Sequence, residues 1–252
     1  MKKKIKTYWN TRAKKKQLAG SNTVLPDILE TNFLTSLLKK NKRILDVGCG
    51  NGIFLSRLSK KKKFKLAVGI DYGEQMIKAA NKRRLKNTNF LVVDMTNENQ
   101  LMSIKEKFDY IITKRALINL ASFNQQVRTL ENLSKLLNKK GRIFSCENSS
   151  TGLQNINIAR KTVGLKKIFA PWHNKYIENE KIKNFKFKNI TFLKMHEFSS
   201  SFYFLSRVFN AFQAKIEKKS KFDNNINKLA FLFDQKLIPG YAQNVVFEFQ
   251  KK

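Results

Sequence analysis

The sequence predicts an α/β fold built on a mostly parallel sheet with helices on both faces. Three observations carry that expectation. Short apolar runs alternate with segments of helical spacing, several of the runs end in glycines or acids, and 252 residues with 42% hydrophobic content can bury one full core. One elaborated domain is therefore expected rather than two, and disorder is not expected for most of the chain.

The elements follow in order. "RILDVGC" (43–49) reads as a buried strand running into glycines, with the helix-like "GIFLSRLSKK" (52–61) after it. "LAVGID" (66–71) is the second strand, backed by "GEQMIKAANKRRLK" (73–86) at helical spacing; "NFLVVD" (89–94) and "FDYIIT" (108–113) are the third and fourth. In "FNQQVRTLENLSKLLNKKG" (123–141) the residues Val127, Leu130, Leu133, Leu136 and Leu137 share one helical face, and Gly141 fits a C-cap. "RIFSCEN" (142–148) is the fifth strand. Strands alternating with helices place ligands at the C-terminal ends of the strands.

Composition removes several classes of function. The net charge of +33 is spread over "KKK" (2–4), "KKNKR" (39–43), "KKKKFK" (60–65) and "KIKNFKFK" (181–188) rather than gathered on one element. Lys, Asn, Ile and Phe, all with A/T-rich codons, are abundant together, so genome composition explains the charge ahead of a nucleic-acid footprint. Cys49 and Cys146 make neither a disulfide framework nor a zinc set, and a reducing cytosol fits. The basic start "MKKKIKTYWNTRAKKK" lacks the apolar core of a signal peptide, and no apolar run approaches the ~20 residues needed to cross a bilayer. A cytoplasmic protein is expected, whose charge could draw it to an anionic membrane surface.

The informative residues lie at the strand ends. "LDVGCGNG" (45–52) sets Asp46 two residues before a glycine turn between strand and helix, where the backbone can approach a ligand closely and helix-start N–H groups are free. Asp71 ends the second strand, where a carboxylate can accept both hydroxyls of a ribose. These two features are shared with dinucleotide sites. Asp94, ending the third strand, adds a polar group that can address an adenine edge.

"ILDVGCGNG", "GIDYGEQMIKAA", "FLVVDM", "FDYIITKRALINL" and "LLNKKGRIFSCENS" resemble, in order and spacing, the successive motifs of the class I S-adenosylmethionine-dependent methyltransferases. The resemblance spans about 43–150 and implies a Rossmann-like seven-stranded sheet with its last strand antiparallel. It also implies that the backbone around Asp46, Gly48, Cys49 and Gly50 cradles the methionine part of the cofactor. Asp71 would then hold the ribose with Tyr72 and Met76 beside it, Asp94 and Met95 would frame the adenine, and Thr113 and Lys114 would lie near the sulfonium. A dinucleotide reading recedes, because the turn has Gly48, Gly50 and Gly52 but Phe54 and Leu55 beyond them, and so lacks the G-x-G-x-x-G spacing. "ITFLKMHEF" (190–198) and "NVVFEFQKK" (244–252) alternate well enough to be the family's antiparallel pair, with aromatic-rich helical segments between them.

The organisation expected is an N-terminal helical cap over 1–42, a cofactor-binding core over 43–150, a substrate-side insert over 151–189 and C-terminal elements over 190–252 that complete the sheet. Segments outside the core, "YWNTRA", "KRALINL", "ENSSTGL" and "PWHNKY", are similar to elements of a bacterial subgroup associated with sugar and envelope biosynthesis. That similarity implies a small or carbohydrate-linked acceptor, methylated on oxygen or alternatively on nitrogen.

Proton removal from a hydroxyl needs a base, and His173 has the right ordinary pKa, near 6.5; a hydrogen-bonding group for the acceptor and a ring that only packs are its other readings. Glu147, ending the fifth strand, competes for that role; its bland alternative is a cap for the following turn. Tyr8, Trp9 and Arg12 could close over an acceptor, Arg115 and Asn119 are spaced to share one helical turn facing it, and Asn148, Asn174 and Tyr176 complete the candidate set. His196 is expected to be structural. No further cluster of carboxylates and histidines remains, so no metal is expected. Two other readings stay open: a nucleic-acid methyltransferase, which the charge favours but the missing N/D-P-P-Y/F signature does not, and a non-catalytic subunit that keeps the fold.

Overall fold

The first strand, β1 (Arg43–Val47), alternates Ile44 and Leu45 between two different apolar clusters, so both faces of the sheet it belongs to are covered. The computed structural model describes residues 2–20, 23–218 and 225–252; residues 1, 21–22 and 219–224 lie outside it. The parallel strands are β1, β2 (Leu66–Asp71), β3 (Thr88–Val92), β4 (Phe108–Lys114) and β5 (Leu137–Asn148). Strands β6 (Ile190–His196) and β7 (Asn244–Lys251) pair antiparallel with each other, and β7 inserts antiparallel beside β5, giving the order β3-β2-β1-β4-β5-β7-β6. The register sets Asp46 opposite Gly69 and Val47 opposite Thr113, so the ends of β1, β2 and β4 share one rim.

The helices are α1 (Lys2–Arg12), α2 (Leu25–Leu37), α3 (Ile53–Lys61), α4 (Glu74–Asn81), α5 (Glu98–Met102), α6 (Phe123–Ser134), α7 (Ser150–Thr162), α8 (Asn179–Asn184), α9 (Ser200–Phe204), α10 (Asn210–Glu217) and α11 (Asn225–Leu232), with a π-helical turn at Leu205–Phe209. α2, α3 and α4 cover one face through Leu34, Leu55, Leu58 and Ile77 packed with Ile44, Ile112 and Phe144. α5, α6 and α8 cover the other through Leu101, Leu130, Leu133 and Ile182 against Leu45, Ile111 and Ile143. A third cluster, around Ile156, Phe202, Tyr203, Val208 and Ala230, joins α7, α9, the π turn and α11 into a helical annex.

The helix expected over 123–141 is shorter than its periodicity suggested. It starts at its Ser122 cap, whose hydroxyl accepts from the Gln125 amide at 3.2 Å, and ends at Ser134. Leu136 and Leu137 are buried but not helical, because the chain there already pairs with β4: the Phe108 amide donates to Leu136 O at 2.9 Å. Gly141 is therefore no C-cap. It lies inside β5, where an added Cβ would meet Asn138 O at 2.9 Å and Phe108 O at 3.1 Å, so the β4–β5 irregularity needs its bare backbone. The third strand also stops early: β3 ends at Val92, and Asp94 sits just past the ladder, after Val93 donates to Asp71 O at 3.0 Å.

Candidate active site

A cavity of about 730 Å³ opens at the C-terminal rim of β1, β2, β4 and β5, beneath α1. Its volume is that of an ordinary small-molecule site. Asp46, Asp71 and Asp94 all line it, together with Gly48, Cys49, Gly50, Tyr72, Met76 and Met95.

The glycine turn has the backbone its sequence required. Gly48 has φ +69°, and a Cβ there would lie 2.7 Å from Ala116 Cβ; Gly50 has φ +54°. Asp71 ties two loops together, accepting from Gly50 N at 3.0 Å and Gly73 N at 2.8 Å. Burial pushes its pKa up while those two amides pull against the rise. Asp46 is more exceptional, because its Oδ2 is buried with no partner. Burial raises its pKa to about 7, with Lys114 opposing and Asp71 adding to the rise. Asp46, with its unpartnered Oδ2, beside Asp71, whose charge adds to its own, makes a pocket suited to a cation.

Asp94 accepts at Oδ1 from Thr96 N at 2.9 Å and Thr96 Oγ1 at 2.7 Å, while Oδ2 meets Lys2. Burial raises its pKa, but the bonds from Lys2 and Thr96 outweigh that and hold it below the ordinary carboxylate range. Lys2 belongs to α1, which also pairs Lys6 with Glu74 at 2.8 Å and sets Asn10 Oδ1 3.3 Å from Gln75 N. α1 thus lies across α4 and roofs the cavity.

At the other end His173 is enclosed by rings: Tyr8 at 4.7 Å, Trp172 at 5.2 Å and Trp9 at 5.4 Å between centroids. It is 8% exposed, its Nδ1 is buried without a partner, and burial followed by the nearby Arg12 lowers its pKa. A neutral imidazole is favoured there. Asn174 Oδ1 and Gln243 Oε1 are buried without partners too, and both residues line the same cavity. The Lys175 amide donates to Ile118 O at 2.6 Å, which docks the "PWHNKY" loop on the turn after β4. Trp9 Nε1 donates to Asn119 Oδ1 at 3.2 Å, and Tyr176 Oη accepts from Gln243 Nε2 at 3.3 Å. Arg12 donates to Ala19 O at 2.7 Å, and Asn148 accepts from Asn244 Nδ2 at 3.1 Å.

Some candidates stand elsewhere than the cavity wall. Glu147 is fully buried beneath it: Oε1 accepts from Thr113 Oγ1 at 2.7 Å, Leu117 N at 3.0 Å and Ala116 N at 3.2 Å, and Oε2 from Ile118 N at 3.3 Å. It clamps the "KRALINL" turn rather than the turn after its own strand. Burial lifts its pKa to about 7 against the four donated bonds. Thr113, also fully buried, is part of that clamp and does not reach the cavity.

Lys114 and Arg115 do line the cavity, but their charges are engaged. Asp27 pairs with Lys114, with Arg57 and with Arg115 at 3.1 Å; Glu30 pairs with Arg115 at 3.1 Å and Lys114 at 3.7 Å. Arg115 sits at φ +54°, just before the 3-10 turn Leu117–Asn119, so it and Asn119 do not share one regular helical turn, though both face the cavity. This buried cluster escaped sequence reasoning. Its signal was present in "LPDILE", with proline at the helix start and acids at 27 and 30, but their cationic partners are 30 to 88 positions away. Tyr203, Arg207 and Gln243 also line the cavity and were not singled out. His196, by contrast, meets Glu248 at 2.8 Å away from the cavity.

A family profile described as methyltransferase domain matches residues 38–174, more than half of the chain. The chain belongs to this methyltransferase-domain family. Relatives include the ribosomal protein L11 methyltransferase of Thermotoga neapolitana, 32% identical over 110 residues, 43% of this chain and 38% of that one. The carboxy-S-adenosyl-L-methionine synthase of Nautilia profundicola is 27% identical over 186 residues, 64% of this chain and 76% of that one. The chain spans 29% and 38% of the length of the first two curated relatives it matches. Among solved structures, the magnesium protoporphyrin IX methyltransferase of Synechocystis PCC 6803 superposes with TM-score 0.60 at 13% identity over 100% of both chains. The N-methyltransferase NodS of Bradyrhizobium japonicum WM9 does so with TM-score 0.54 at 14% identity, over 92% of this methyltransferase and 89% of that one. These share its fold. Among the described residues no group could hold a metal ion, and no helix is long and apolar enough to cross a membrane.

Proposed function

We propose that this methyltransferase acts on an oxygen, or alternatively a nitrogen, of a small polar or carbohydrate-linked acceptor. The observation that carries the reading is the set of unpartnered buried atoms in one cavity wall: His173 Nδ1, Asn174 Oδ1 and Gln243 Oε1. Buried polar groups are normally satisfied, so a wall with three that are not fits a polar ligand that completes them.

S-adenosylmethionine supplies an activated methyl group when bound; alignment, water exclusion and proton removal fall to the chain. Gly48, Cys49 and Gly50 bring backbone close to the methionine portion, and unpartnered Asp46 suits its positive charge. Asp71 addresses the ribose, with Tyr72 and Met76 beside it, and Asp94 with Met95 flanks the adenine. Lys114, engaged by Asp27 and Glu30, tempers the charge at Asp46. Residues 1–42 act as a cap and 151–189 as a substrate-side lid, so that α1 and the His173 loop exclude water from the reacting end.

His173 takes the proton of the attacking group, its depressed pKa keeping it neutral at pH 7. Glu147 serves as a positioning residue: with Thr113 it fixes the turn that carries Ile118 and Asn119. Tyr8, Trp9, Tyr176 and Asn148 contribute ring faces and hydrogen bonds to the acceptor; Arg12 confers a preference for acceptors with negative charge, while Arg115, engaged by Asp27 and Glu30, positions the wall beside it. The test is methyl incorporation from labelled cofactor into sugar-phosphate, glycan and RNA fractions. Turnover confined to RNA, falling steeply with salt, would replace this acceptor class with nucleic acid.

A further inference from the structure

The helical annex carries an inverted amphipathic pattern. On α10 the small residues Ala211 and Ala214 are buried, while Phe212 and Ile216 face solvent at 38% and 66% exposure, in line with Phe209 at 52%. These three positions, i, i+3 and i+7, fall on one helical face. α11 repeats the pattern: Asn227 and Ala230 are buried, whereas Leu229 and Leu232 are 54% and 76% exposed. Both helices pack on the π turn Leu205–Phe209. Burial alone would have placed the bulky side chains inward, so a surface in this arrangement calls for an external apolar phase.

Charge decides what that phase is. Exposed Lys215, Lys218, Lys228 and Lys236 lie on or beside the same two helices. Lysines are depleted from the cores of protein interfaces. A second copy would present the same cations to these, within a chain of net charge +33. Long apolar side chains interleaved with lysines match the boundary of an anionic bilayer, where the rings and aliphatic chains enter the acyl edge and the ammonium groups stay with the headgroups.

We propose that the α10–α11 face docks the enzyme peripherally on an anionic phospholipid membrane. The docking is independent of the acceptor and of the base assigned above. It bears on them through the chain itself, because Tyr203 and Arg207, just before Phe209, line the catalytic cavity while Phe209 points outward.

The experiment is vesicle co-sedimentation of the full chain with phosphatidylcholine alone and with phosphatidylcholine containing phosphatidylglycerol. The wild type pellets with the anionic vesicles and stays in solution with the neutral ones. Phe209→Ser/Ile216→Ser/Leu232→Ser lowers the partition coefficient tenfold or more, and Lys218→Ala/Lys228→Ala/Lys236→Ala does the same. A control with equal charge loss at the opposite rim of the sheet, Lys63→Ala/Lys86→Ala/Lys139→Ala, changes it less than threefold. Calorimetric binding of S-adenosylhomocysteine reports that each variant is folded. Equal losses in control and test variants, or unchanged binding by the apolar variant, would overturn the proposal. So would a wild-type dimer that the apolar variant converts to monomer without any vesicle binding.

Discussion

Asp27→Asn removes one carboxylate from a buried cluster, leaves Lys114 and Arg115 sharing Glu30 and takes from Arg57 its paired carboxylate. Burial pushes the Asp27 carboxyl up, but Lys114 and Arg115 outweigh it and bring its pKa to about 2. A fall of about two units, at roughly 1.4 kcal/mol per unit, favours the ionised folded form by on the order of 2 to 3 kcal/mol. Removing one partner of a buried ion cluster costs about 3–5 kcal/mol by general experience, a range that meets this one at its lower end. Urea denaturation of Asp27→Asn at pH 7 should therefore show a loss of about 2–4 kcal/mol. The sign with pH follows from the depressed folded pKa: the contribution is present above the ordinary carboxylate range and is lost as pH falls from about 4 toward 2. Glu30 has the opposite sense, since burial raises its pKa, so the double variant with Glu30→Gln separates the two. A loss below about 0.5 kcal/mol, the size of an exposed ion pair, would refute the argument that this cluster is desolvated.

Asp71→Ala should weaken cofactor binding at least tenfold by calorimetry, because it removes the acceptor that also joins the Gly50 and Gly73 loops. His173→Gln should lower kcat by about 10² to 10⁴ and abolish the acid limb of the pH–rate profile. In the wild type that limb lies below the ordinary histidine pKa, as the depressed value requires. Glu147→Gln should cost about 1–3 kcal/mol in thermal or urea unfolding, because the amide presents a donor to a backbone N–H; a tight turn with unaltered stability would count against the clamp. Gly152→Ala should destabilise by more than about 1 kcal/mol through overpacking, since the new methyl would sit 2.0 Å from Ala242 O on the adjoining chain.

What the sequence determined is local and repetitive. Strand and helix order, the glycine turn with Gly48 and Gly50 at positive φ, and acids at the rim are consequences of contiguous residues whose spacing forces a backbone shape. The cavity gathers Asp46, Asp71 and Asp94 for the same reason: a parallel sheet delivers successive strand ends to one edge, whereas His173 joins them only because its loop packs on Tyr8 and Trp9 of α1. Tertiary structure decided everything that depends on distant partners. The helix expected to run to Gly141 yields at Ser134 because sheet pairing with Phe108 outcompetes helical periodicity. Glu147 looked like a base at a strand end, yet three amides 29 to 31 positions earlier in the chain take its oxygens. Asp27 and Glu30 acquire their role only when Lys114 and Arg115 close on both and Arg57 on Asp27. Local pattern specifies which face of an element is apolar; which charge meets which across the fold is fixed by packing, because desolvated ions are stable only with partners within a few ångströms.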